Sequence, residues 1–228
     1  MRDPKAGRKP LFYVALDDPD WEKDRLLVEQ LRDHVDGFKV GLGLVAWAGL
    51  APVQWLRSEG IDVFLDLKLH DIPQTVATAA AAAEQLGVRF LTLHALGGEA
   101  MLSAARDVCQ QTQLLAVTLL TSLDQSDLAP WADETDPAAL TFRLAKLALQ
   151  TGVDGLVCAG TEAARLRRAV GPTPVLAVPG IRLPEQASQD QRRVVTPQQA
   201  VAAGADLLVL GRVITQSPRP LETLSAIR

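Results

Sequence analysis

Short apolar runs alternate with longer amphipathic segments along the whole chain, and the number of runs narrows the folds available to it. Eight runs read as strands: LFYVALD (11–17), GFKVG (37–41), IDVFLDLK (61–68), VRFLTLHA (88–95), QLLAVTLLTS (113–122), VDGLVCAG (153–160), TPVLAVPG (173–180) and ADLLVLGR (205–212). Between them lie helical patterns such as DWEKDRLLVEQLRDHV, TVATAAAAAEQLG, DPAALTFRLAKLALQTG and TEAARLRRAVG, most with a capping residue ahead and Gly behind. Strict β/α alternation demands a parallel sheet. Eight units in 228 residues predict an α/β fold, a single-domain (β/α)8 TIM barrel over residues 1–228 near the small end of that fold's range. The structural alternative is an open doubly wound sheet. Its glycine fingerprint is missing, because the first run ends in ALDDPDW and not in GxGxxG.

Composition excludes several partners. The net charge of −4 shows no basic excess, so nucleic acid and anionic membrane are poor partners. Cys109 and Cys158 form no CxxC pair, and a reducing cytoplasm fits two isolated cysteines best. The start, MRDPKAGRKPLFYVALDD, lacks an apolar signal-peptide core, and no stretch approaches about 18 uncharged apolar residues. A soluble, non-exported protein is expected. The segments at 122–137 and 181–197 are too long for mere connections.

Charges inside apolar runs are the feature with chemical content. FLDLKLHDIP (64–73) carries Asp66, Lys68 and Asp71, although an unpaired charge removed from water costs several kcal/mol. In a barrel the active site lies at the C-terminal ends of the strands. There the first run ends in Asp17, the second carries Lys39, and alternation places Asp66 and Lys68 of the third on one face with Phe64. The alternating signs suit mutual pairing. A plainer reading stands beside this one, since charges at strand ends are usually solvated. For Asp17, followed by DPD, turn or N-cap duty competes closely with ligand binding. Lys39, Asp66 and Lys68 sit within apolar runs and fit the plain reading less well.

DLKLHDIPQT (66–75) resembles the Asp-x-Lys-x-x-Asp signature of the orotidine 5′-phosphate decarboxylase family, and the likeness extends over nearly the whole chain. It includes VALD (14–17), FKVG (38–41), LTS (120–122), PGIR (179–182), DQRR (190–193) and GRVITQS (211–217). One departure is LGLVAWAG (42–49), more apolar than the family pattern. The resemblance implies conversion of orotidine 5′-monophosphate to uridine 5′-monophosphate and CO2 in pyrimidine synthesis, with no metal and no organic cofactor.

Under that resemblance Lys68 is the proton donor, Asp66 and Asp71 keep it charged and aimed, and Lys39 and Asp17 hold the ribose hydroxyls. Ile72 and Thr75 are substrate-binding positions, as is Thr121, with Ser122 a pyrimidine contact. A hydroxyl at a strand end can equally satisfy backbone groups. Gly211 and Arg212 suit a phosphate, and barrels often bind one after strands 7 and 8. Arg182 and Gln191 flank a segment, 182–193, expected to close as a lid. The resemblance also implies a two-fold homodimer in which Asp71 reaches the other subunit's site.

His34, His70 and His94 have no metal-ligand spacing and read as structural. Ser122 has no evident base, and AGTEAA is not a nucleophile elbow. The remaining alternatives are a metal-dependent sugar-phosphate decarboxylase or synthase on the same barrel, and a catalytically silent phosphate-binding barrel.

Overall fold

The computed structural model describes residues 9–130, 133, 135–183 and 195–227. Each apolar run forms a strand: β1 Leu11–Leu16, β2 Gly37–Gly41, β3 Val63–Leu69, β4 Phe90–His94, β5 Gln113–Val117, β6 Gly155–Val157, β7 Val175–Val178 and β8 Leu207–Leu210. Sequence neighbours pair in parallel and β8 pairs with β1, Leu207 opposite Leu11, so the sheet closes. The (β/α)8 barrel expectation holds and the open doubly wound sheet falls. Among the described residues no helix is long and apolar enough to cross a membrane.

β5 and β6 end furthest short of their apolar runs. After Val117, where β5 ends, the Thr118 N–H makes one more ladder bond to the Val157 carbonyl, at 3.2 Å, and its hydroxyl donates to the same oxygen at 3.1 Å. β6 stops at Val157 because the next helix already begins at Gly160. Helix starts follow local chemistry. The Asp20 carboxylate accepts the Glu22 N–H ahead of the helix Trp21–Leu31, and Asp136 caps the helix Pro137–Gln150. The apolar LGLVAWAG stretch forms the helix Leu42–Ala48, which buries Leu44 and leaves Leu42 and Trp47 exposed.

Side-chain alternation builds two cores. Outward residues such as Val14, Phe38, Leu65 and Leu91 pack under the helices with Leu31, Leu56 and Leu102. Inward residues fill the barrel itself, where Tyr13, Phe64 and Phe90 meet edge to face with ring centroids 5.6 to 6.1 Å apart. Space for Tyr13 comes from Gly37, where a Cβ would sit 2.5 Å from the tyrosine ring. This aromatic layer fills the lower barrel, and Phe64 borders the cavity at the C-terminal mouth.

The segment expected to act as a lid, with Gln191, lies outside the described residues apart from Arg182 and Leu183. Its two flanks are joined by a parallel bridge between Ile181 and Val195.

Candidate active site

At the C-terminal mouth the charges form a continuous row. Lys39 Nζ lies 3.1 Å from Asp17 Oδ1 and 3.6 Å from Asp66 Oδ2. Lys68 Nζ donates to the same Asp66 oxygen at 2.8 Å, and the Thr92 hydroxyl on β4 donates to Asp66 Oδ1 at 2.9 Å. Burial pushes the Asp66 pKa up, but the two ammonium groups and these hydrogen bonds outweigh it and hold the carboxyl below its ordinary range. Asp66 is therefore ionised at neutral pH. The two lysines differ in access: the Lys39 side chain is 10% exposed between its carboxylates, whereas Lys68 is 32% exposed. Gly41 makes room for the row, since a Cβ there would come within 2.8 Å of Lys39 Nζ.

Regular alternation was expected along the third run, and the strand departs from it where the charges sit. Leu65 pairs with Leu91 and Leu69 with Leu93, so β3 places three residues where β4 places one. This is a bulge, and Thr92 stands opposite it. Within it Lys68 adopts φ +49°, the only non-glycine in the left-handed region among the described residues. Such a conformation costs about 1–2 kcal/mol for a residue with a Cβ. The Lys68 N–H leaves the strand ladder and donates to Thr92 Oγ1 at 2.8 Å. Asp66 and Lys68 thus share the mouth as expected, by a distorted backbone.

A third carboxyl lies beside the row. Asp24, 3% exposed, accepts the Asp18 N–H at 3.1 Å and borders the cavity. Burial, reinforced by the charges of Asp18 and Asp17, raises its pKa to about 7 against the pull of that hydrogen bond and of Lys39. In sequence it is an ordinary acid in a helix's first turn, and no local signal marks it. Thr92 was equally unmarked, because its role depends on the bulge in the neighbouring strand.

The cavity at the mouth measures about 920 Å³. Asp17, Lys39, Asp66, Lys68 and Thr121 line it, over a floor of Ala15, Phe64, Val157 and Val209. Arg182, Gly211 and Arg212 also line it, together with Pro179 and Gly180. Gly211 precedes the short helix Arg212–Thr215, and a Cβ added there meets nothing within 4 Å, so its backbone faces open space. Asp71, Ile72, Thr75 and Ser122 are exposed and are not part of this lining. The Asp71 carboxylate accepts the adjacent Ile72 N–H at 2.6 Å.

The His70 and His94 rings stack at 5.3 Å, and burial, then the neighbouring His70 and Lys68, lowers the His94 pKa. Among the described residues no three His, Cys, Asp or Glu side chains gather as metal ligands.

A parallel barrel with a paired acid–base row at its C-terminal mouth has the layout of a (β/α)8 enzyme. Residues 10–227 match the model of the orotidine 5′-phosphate decarboxylase / HUMPS family. Orotidine 5′-phosphate decarboxylase of Nitrosospira multiformis is 45% identical over 220 residues, 96% of this chain and 92% of the relative. The Nitrosomonas europaea protein of the same name is 46% identical over 217 residues, 94% of each. The crystal structure of orotidine 5′-phosphate decarboxylase from Lactobacillus acidophilus superposes with a TM-score of 0.80 at 34% identity, covering 96% of this chain and 97% of that one. The chain belongs to the orotidine 5′-phosphate decarboxylase / HUMPS family.

Proposed function

We propose that this protein decarboxylates orotidine 5′-monophosphate to uridine 5′-monophosphate and CO2, with Lys68 as the proton donor. The observation that carries the reading is the Lys68–Asp66 pair, 2.8 Å apart and bordering the cavity. When the C6–carboxylate bond breaks, its electron pair stays on C6. The Lys68 ammonium counters that charge and delivers a proton to the carbon, leaving a neutral amine that solvent reprotonates. Ionised Asp66 keeps Lys68 charged and aimed. Lys39 and Asp17 bind the ribose hydroxyls, Thr121 and Ser122 serve the pyrimidine, and Arg182, Gly211 and Arg212 receive the phosphate. Lys68 supplies both charge and proton, so the reading assigns no step to a metal or organic cofactor. Incubation with orotidine monophosphate tests it: the ultraviolet absorbance of the substrate should fall at the same rate with and without a chelator. Absence of turnover, or its abolition by the chelator, would refute it.

The same reading makes the protein a cytoplasmic homodimer acting on a small nucleotide, with neither nucleic acid nor membrane as partner. Supporting the dimer, Asp71, Ile72 and Thr75 belong to the signature stretch yet stand exposed outside their own chain's cavity. Asp71 then enters the partner's site. Lys68→Ala and Asp71→Asn chains, each nearly inactive, are unfolded together and refolded as a mixture. About half the dimers are mixed, each holding one native site, so roughly a quarter of wild-type activity should return. A mixture no more active than its parents, with mixed dimers confirmed, refutes the shared site.

A further inference from the structure

We propose that Thr92 is the positioning residue for the Lys68–Asp66 pair, holding both members through one hydroxyl; the inference rests on the decarboxylase reading above. Thr92 is fully buried. Its Oγ1 accepts the Lys68 backbone N–H at 2.8 Å and donates to Asp66 Oδ1 at 2.9 Å. The oxygen therefore uses its one proton on the carboxylate and a lone pair on the backbone amide.

Those two contacts answer two separate problems. Lys68 sits at positive φ in a bulge, where its N–H has left the ladder and would stand unsatisfied without a local acceptor. Asp66 has both ammonium groups on Oδ2, so nothing in the charged row fixes the rotation that carries Oδ1. Thr92 closes a ring from the Lys68 backbone through its hydroxyl to Asp66 and back through the Lys68 ammonium. The ring ties the left-handed backbone of the proton donor to the orientation of the carboxylate that aims it. Thr92 does not line the cavity, so it acts through these two residues.

The decisive variants keep or remove the hydroxyl at nearly constant shape. Thr92→Val should lower kcat on the order of 10- to 100-fold, the usual consequence of misplacing a catalytic group by about an ångström. KM should change less than about threefold, because the phosphate and ribose contacts are untouched. Thr92→Ser retains the oxygen and should keep kcat within about threefold of wild type. Should the valine variant fail to unfold cooperatively, Thr92→Ala takes its place, since Ser and Ala differ only in the hydroxyl. A crystal structure of the hydroxyl-free variant should place Lys68 away from φ +49° and lengthen the 2.8 Å contact with Asp66.

A hydroxyl-free variant with kcat within twofold of wild type overturns the proposal, as does an equal loss in Ser and Ala. If the wild-type protein fails to turn over orotidine monophosphate, the functional reading falls on its own. The crystal structure still decides the positioning role, which an unmoved Lys68–Asp66 pair in the variant would overturn.

Discussion

Both ends of the barrel carry aspartates paired with cations, and the two sets are built differently. At the N-terminal end Asp36, Asp62, Asp154 and Asp206 each stand immediately before a strand. Three of them accept the N–H of the second residue of the preceding strand: Asp36 from Phe12 at 2.8 Å, Asp154 from Leu114 at 2.7 Å and Asp206 from Leu176 at 2.9 Å. In return each donates its own N–H to that residue's carbonyl. Arginines complete the set, with Arg106 on Asp154, Arg167 on Asp206 and Arg89 on Asp62. These carboxylates clamp backbone to backbone. At the C-terminal mouth Asp17 and Asp66 meet lysines and a hydroxyl, and one of those lysines, Lys68, has a strained backbone. Charge at one end satisfies the chain, and charge at the other borders an open cavity. The comparison teaches that a charge's partners, more than its presence, separate architecture from chemistry.

The largest effect that could break this contrast is at the mouth. Lys68→Ala should lower kcat by more than about 100-fold, within the range supplied by positioned proton transfer. It should leave the melting temperature within a few degrees of wild type, because alanine keeps the Cβ that sets the backbone strain and Asp66 keeps Lys39 and Thr92 as partners. Steady-state kinetics and thermal unfolding on one preparation check both. Retention of a tenth of wild-type kcat would remove Lys68 from its role.

The opposite signature is expected at the other end. Asp206→Ala strips the ion-pair partner from Arg167 and the acceptor from the Leu176 N–H. Arg167 keeps the carbonyls of Gly204, Gly171 and Pro174, which limits the damage. A loss of about 2 kcal/mol follows, or roughly 4–8 °C in Tm for a chain of this size. Values of kcat and KM should stay within about twofold of wild type. A large kcat loss without a drop in Tm would erase the distinction between the two ends.

How much of this was legible in the sequence follows the same division. Eight apolar runs sufficed for the barrel, because inward and outward burial both demand apolar residues and leave a periodic trace. Lys39, Asp66 and Lys68 were legible because charge inside an apolar run is conspicuous, whereas Asp17, at the end of its run, read equally well as a turn or N-cap residue. Thr92 was not, since a threonine in FLTLH is unremarkable until the bulge of a neighbouring strand stands opposite it. Asp24 looks like any acid near a helix start, and its burial is a tertiary fact. Aspartates directly before the apolar runs at 36, 62, 154 and 206 were visible, but their meaning depends on which strand lies alongside.

The smallest effects concern pH, and they sharpen the contrast because one carboxyl from each end responds with opposite sign. Near the N-terminal end Glu84 accepts the N–H groups of Gln110, Gln111 and Thr112 at 2.8 to 3.0 Å. Against the push of burial, those donors lower its pKa from 4.5 to about 2. Its stabilising contribution is therefore complete above pH 4.5 and is lost as pH falls toward 2. At the mouth the Asp24 pKa is raised from 3.8 to about 7. Its protonated form favours the folded state, so that contribution is complete below pH 3.8 and is lost as pH rises through 7. Thermal unfolding from about pH 2 to 9 should separate the two, with shifts of a few degrees. The Tm deficit of Glu84→Gln should shrink as pH falls below 4.5. The Tm difference of Asp24→Asn from wild type should move in the variant's favour between pH 3.8 and 7 and level off above. A constant offset from the substitution itself does not disturb this, because only the slope is read. Curves for Asp24→Asn and wild type that run parallel through that interval would show that Asp24 titrates as an ordinary acid despite its burial.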